Sequence, residues 1–272
     1  MKRFIKKIKP IRRFYDALMA TRYFNFKYLQ ILKWMFTSNE ETNFTYDLTD
    51  KNYLELLKTI ESCLDVSFEQ LQKYLDEILN DDQLKLYLIR KTKDSTFENL
   101  ADQHVRFSRR VCWYVIARVI KPKVIVETGV DKGMGSVVLC AALLKNNKEG
   151  YTGRYIGTDI NIEAGYLFDE KYKSVGEIIY GDSVASLEKL DQKIDLFIND
   201  SDHSANYEYR EYQTIKNKLN PKALILGDNS HVTDKPLKFS IENDRMFVLF
   251  KEEPKNHWYP GAGVGISFPR LK

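Results

Sequence analysis

Five short apolar runs constrain this chain most, because each one ends in a burst of polar residues. Val124-Ile125-Val126 runs into Glu127-Thr128-Gly129, and Tyr155-Ile156-Gly157-Thr158 into Asp159. Glu177-Ile178-Ile179-Tyr180 leads to Gly181-Asp182-Ser183, and Leu196-Phe197-Ile198 to Asn199-Asp200-Ser201-Asp202-His203. Ala223-Leu224-Ile225-Leu226 ends in Gly227-Asp228-Asn229-Ser230-His231. Runs this short and this apolar read as strands of a parallel sheet buried on both faces. The polar clusters then share the C-terminal edge of the sheet, where open α/β folds bind ligands.

The chemistry of each cluster suggests a task. Glu127 through Ser136 is a glycine-rich turn leading into an apolar helix from Val137 to Leu144. Glycines Gly129, Gly133 and Gly135 let the backbone approach a ligand closely, and a helix N-terminus adds free N–H groups. Asp159 lies 30 residues after Gly129, where a carboxylate suits the hydroxyls of a ribose. Asp200, Asp228 and Asn229 offer three hard oxygen donors that can hold Mg²⁺ or another divalent cation. Asp202 is a fourth ligand or an acceptor behind the ligands. His203, with His231 as its rival, can take a proton from a hydroxyl near neutral pH. His257-Trp258-Tyr259 forms either a substrate rim or a loop staple. Against all of these stands the plain alternative that acids at strand ends cap the next helix.

Two family resemblances follow. Thr128-Gly129-x-x-x-Gly133-x-Gly135 resembles the pyrophosphate turn of short-chain dehydrogenases, which would imply an NAD(P)-dependent oxidoreductase. That family also needs a Tyr-x-x-x-Lys pair. The match here, Tyr212 to Lys216, comes only about 80 residues after the turn. Hydride transfer also has no use for Asp200 and Asp202. The order of all five clusters resembles instead a class I S-adenosylmethionine-dependent methyltransferase. Within that class it is similar to the metal-dependent O-methyltransferases of the catechol and caffeoyl-CoA type and their bacterial sugar and antibiotic relatives.

This second resemblance covers about residues 104–268. It implies a Rossmann-like α/β fold with a mostly parallel sheet ending in an antiparallel hairpin, here Arg245–Phe250 with Gly263–Phe268. It also implies S-adenosyl-L-methionine as cofactor. Glu127, Gly129, Gly133, Gly135 and Ser136 would face its methionine part, Asp159 and Ile160 its ribose side, and Asp182 and Ser183 its adenine. Asp200 would serve cofactor, metal and catalysis together, beside the metal ligands Asp228 and Asn229, with His203 as base. There are departures from the pattern. Gly135 is an extra residue in the turn, and His203 stands where the plant and mammalian enzymes carry lysine. No substrate-binding insertion is recognisable, so the resemblance implies only a small-molecule or glycan hydroxyl as acceptor. A hydroxylase-like enzyme of the same fold, or a binding protein without catalysis, stays open.

Residues 1–103 are expected to form an N-terminal helical extension, and residues 104–272 the cofactor-binding domain. Residues 1–38 read as one or two helices, Asn39–Asp50 as a linker, and Ser67 as the cap of a later helix. The net charge is +4, yet residues 1–38 carry +9 and the remainder −5. Their basic residues alternate with aromatics, which suits contact with an anionic membrane, or a solvated helix packed on the domain. Nucleic acid is disfavoured because no binding motif is present. A homodimer stays open. The scattered cysteines Cys63, Cys112 and Cys140 read as reduced, buried thiols of a cytoplasmic protein. The basic start lacks a signal-peptide core, and no apolar run is long enough to span a bilayer.

Overall fold

The computed structural model describes residues 9–40, 44–101 and 104–270. Helix α1 (Lys9–Thr37) leads to α2 (Asp50–Cys63), α3 (Phe68–Leu79) and α4 (Asp82–Lys93). Each of the last three starts on a polar cap: Thr49, Ser67 and Asp81 accept N–H bonds from Asn52, Gln70 and Leu84. Such caps satisfy donors that the first helical turn leaves free. Helix α5 (Arg110–Ile120) ends on Lys121 in a left-handed conformation, just before Pro122.

The sheet then alternates with helices: β1 (Val124–Thr128), α6 (Met134–Lys148), β2 (Arg154–Asp159), β3 (Gly176–Tyr180) and α7 (Ser183–Glu188). It continues with β4 (Ile194–Asn199), α8 (Ala205–Ile215), β5 (Leu219–Gly227), α9 (Lys235–Glu242), β6 (Arg245–Lys251) and β7 (Gly263–Pro269). The strand order is β3-β2-β1-β4-β5-β7-β6. The first five strands are parallel, and β7 runs antiparallel between β5 and β6. All five apolar runs are therefore strands, and the expected C-terminal hairpin is present. The order reverses between β1 and β4, and there the crevice for a ligand opens.

One apolar core lies on each face of the sheet. The smaller joins Val126, Ile156, Phe197 and Ile225 to Tyr212, Ile215 and Phe239 of α8 and α9. The larger joins the other face of the strands to α5 and α6 and runs on without a break into Leu56, Leu71, Leu84 and Leu88 of α2–α4. Apolar packing thus crosses position 104, the expected domain boundary. The segment expected to be a linker is also anchored. Tyr46 and Leu48 are buried, and Leu48 pairs with Pro254. Its polar composition hid these two core residues.

Candidate active site

The turn after β1 has the backbone that its glycines demand. Gly129 (φ +82°) and Gly133 (φ +91°) are left-handed, a conformation costly for side chains with a Cβ. A Cβ at 129 would overlap the Asp200 backbone carbonyl, so the turn lies directly on the end of β4. Asp159 bonds back to this turn. Its Oδ2 accepts the N–H groups of Val130 and Asp131, each at 2.9 Å, and its Oδ1 accepts Asn161 N–H at 2.8 Å. Ile160, next in the chain, is exposed.

Residues 126–230, from β1 through the end of β5, match the family model of a methyltransferase domain. That stretch, rather less than half of the chain, resembles a methyltransferase domain. Solved structures share its fold. The O-methyltransferase TomG of Streptomyces achromogenes, involved in tomaymycin synthesis and solved with S-adenosylmethionine, is 16% identical with a TM-score of 0.53. That match covers 73% of this chain and 95% of TomG. A methyltransferase of Geobacter sulfurreducens is 17% identical with a TM-score of 0.51, over 75% of this chain and 99% of its own. The Podospora anserina methyltransferase PaMTH1, bound to S-adenosylhomocysteine, is 17% identical with a TM-score of 0.50, over 75% and 95%. At such identities the likeness is one of fold. No curated protein matches the chain in sequence.

Several residues expected at the cofactor of such a domain lie behind the turn instead. The Glu127 side chain accepts hydrogen bonds from Tyr155 and Ser136, and both Glu127 and Ser136 are buried. Burial pushes Glu127 up to about 7, against the pull of those hydrogen bonds. A Cβ on Gly135 would strike Glu127 and Trp113, so this glycine serves helix–strand packing. Glu127, Gly135 and Ser136 support the turn from the core, packed beneath α6 and Trp113. Further along the edge, Asp182 is exposed, caps α7 through Ala185 N–H and accepts the Tyr207 hydroxyl at 2.7 Å. Ser183 is buried and donates to Glu211. Glu211 is a hub that sequence reading missed. It also accepts from Asn199, Ser201 and Thr128, tying α8 to the ends of β1 and β4. Tyr212 is buried against Phe197 and Phe239. Its hydroxyl donates to Glu208 inside the core, which weighs against the Tyr-x-x-x-Lys role.

The ends of β4 and β5 carry the charged part of the site. Asp200, His203 and Asp228 each bring one ligand atom to within 4.8 Å of the others. His203 Nε2 is 3.8 Å from Asp200 Oδ1 and 3.1 Å from Asn229 Nδ2. The expected ligand set is thus rearranged. His203 stands among the ligand atoms, while Asn229 turns its amide nitrogen toward Asp228 and His203. A half-turn of that amide would present its oxygen. Asp202 is exposed and caps α8 through Ser204. His231 is exposed and sits lower than an ordinary imidazole through partial burial and the Lys251 charge.

Arg109, another residue that sequence reading missed, lies against Asp228 in a buried ion pair. Burial opposes its charge, but Asp228, Asp200 and Glu252 hold it firmly cationic. Burial, with the Asp228 charge added, pushes Asp200 well above the ordinary carboxylate range, while Arg109 and Arg110 pull it down. Tyr46 donates to Glu252 on the far side of Arg109. The Arg109-Arg110 pair opening an apolar helix was the one local signal for this contact.

A cavity of about 1000 Å³ lies beside this charged group. Lys132 and Met134 of the glycine turn border it, as do Tyr46, His257 and Trp258. Asp200, His203, Asp228 and Asn229 do not line it; Tyr46 connects the two regions through Glu252 and Arg109. His257 and Trp258 both wall the cavity and staple the loop, since Trp258 packs on Trp34 and Phe44.

Proposed function

We propose that this chain is a methyltransferase that transfers its methyl group to a hydroxyl of a sugar or another small polar acceptor, assisted by a divalent cation. The observation that supports the cation is the convergence of Asp200, His203 and Asp228 on the strand ends next to the glycine turn. The two carboxylates suit Mg²⁺ or Mn²⁺, with His203 beside the ion as proton acceptor rather than as a magnesium ligand. Asp228 Oδ1 already faces Arg109, so a cation would share this carboxylate with the guanidinium. A bound cation would polarise the acceptor oxygen and lower its pKa. Asp159 would hold the ribose, and the N–H groups opening α6 would face the methionine carboxylate. His203, with His231 as its rival, would receive the acceptor proton. Lys33, Lys85, Arg106, Lys132 and Lys255 border the cavity together with Glu40, Asp47 and Asp50, a mixed polar lining that suits a polar acceptor.

One observation favours a second reading. Arg109 already balances part of the charge that a cation would meet at Asp228. In that reading His203 removes the proton without metal. Mn²⁺ titration followed by electron paramagnetic resonance separates the two. We expect saturable binding that Asp228→Asn abolishes, with S-adenosylhomocysteine binding by calorimetry retained. No Mn²⁺ binding, with methyl transfer surviving excess chelator, would establish the metal-free reading. Tight NADPH binding without S-adenosylhomocysteine binding would overturn both.

A further inference from the structure

Helix α1 is the least enclosed element of the described chain. Its inner face touches the body through Lys27, Ile31 and Trp34. Lys27 donates to the His257 carbonyl, and Trp34 packs edge-on against Trp258. These contacts fix which face points out. On the opposite side, Ile11, Phe14, Leu18, Leu29, Leu32 and Phe36 recur at helical spacing, and all are exposed, from 40% at Leu18 to 84% at Phe36. At a rise of 1.5 Å per residue the helix is about 43 Å long, so this stripe is far larger than a scatter of single apolar residues. Arg22 lies within the stripe and Lys33 at its edge, while Arg12 and Arg13 lie farther round the helix. No described helix is long and apolar enough to cross a membrane.

We propose that α1 lies flat on an anionic lipid surface, with the Ile11–Phe36 stripe in the headgroup boundary. The charge argues for this occupant. Residues 1–38 carry +9 on a chain whose remainder is −5, and anionic lipid complements that charge. A second copy complements it poorly. Pairing two α1 stripes would bring two strongly basic segments together and bury Arg22 and Asn25 in the seam, where a coiled coil wants apolar side chains. At a bilayer, Arg22 and Lys33 extend their stems along the stripe and keep their charges among the headgroups. Large aromatics such as Phe14, Tyr15 and Phe26 suit the same boundary. Because Gln30, Lys33, Trp34 and Thr37 also wall the large cavity, docking would set that cavity beside the lipid surface. The inference does not depend on the acceptor or the metal.

Vesicle flotation with the full chain tests it. Vesicles of phosphatidylcholine mixed with phosphatidylglycerol should carry the protein, and vesicles of phosphatidylcholine alone should not. Raising the salt should weaken binding. The triple substitution Phe14→Glu, Leu18→Glu, Leu29→Glu should lower binding at least about tenfold. Arg22→Gln alone should lower it about fivefold. S-adenosylhomocysteine binding should be unchanged in both variants, showing that they fold. The proposal fails if the wild-type chain ignores anionic vesicles. It fails equally if sedimentation shows a dimer that the triple substitution dissolves while vesicle binding stays as it was; the stripe would then belong to a second copy.

Discussion

At the ends of β1 and β2 the ligand-facing groups are mostly backbone: the turn at Gly129 and Gly133, the N–H groups opening α6, and one carboxylate, Asp159, braced by three N–H donors. At the ends of β4 and β5 they are charged side chains crowded in a nearly closed space, with Arg109 set against Asp228 and the Asp200 side chain only 14% exposed. The first half is built from shape and dipoles that scarcely respond to pH, with Asp159 as its one charged member. The second half is held by mutual compensation, so each of its members depends on the others. Fixed backbone suits an invariant cofactor, and a compensated charge cluster suits chemistry in which charge moves.

The sharpest way to break this comparison is to remove Arg109. Arg109→Ala leaves Asp228 buried and unpaired, which should destabilise the fold by about 3–5 kcal/mol. Thermal unfolding should show a large fall in Tm, partly restored by Mg²⁺ if the cation site is real. An unchanged Tm would mean that the cluster is not mutually compensated.

The support behind the glycine turn gives the next largest effect, visible in pH. Glu127 is raised from 4.5 to about 7 on folding, so the folded state holds its proton more tightly than the unfolded chain. Its contribution therefore falls as pH rises from about 4.5 to about 7. Complete ionisation costs roughly 3 kcal/mol. Glu127→Gln should flatten that part of the stability–pH curve, measured by denaturant unfolding. A curve of the same slope in the variant would place the titration elsewhere.

The smallest effect is expected in the backbone-built half. Asp159→Ala should weaken S-adenosylhomocysteine binding by roughly 1.5–3 kcal/mol, at least tenfold by calorimetry, with Mn²⁺ binding unaltered. Loss of both together would show that the two halves are not independent.

The sheet and the cofactor rim were legible in the chain because their signals are local. A buried strand needs only a few consecutive apolar residues, and a left-handed turn needs glycine at a defined place. Asp159 follows its strand directly, so its position was readable too. The packing of Glu127, Ser136 and Gly135 was not readable, because a motif gives the course of the backbone but not the face toward which a side chain turns. Burial by Trp113 and α6 decided that.

The strands, their polar ends and the glycine turn follow from local residues, since each depends on neighbours a few positions away. Only the tertiary structure decided that Arg109 meets Asp228, 119 positions later, that Glu211 ties together the ends of β1 and β4, and that α1 turns its apolar stripe outward. Those outcomes rest on which distant surfaces meet. Contact between groups far apart along the chain leaves no pattern in the residues near either one.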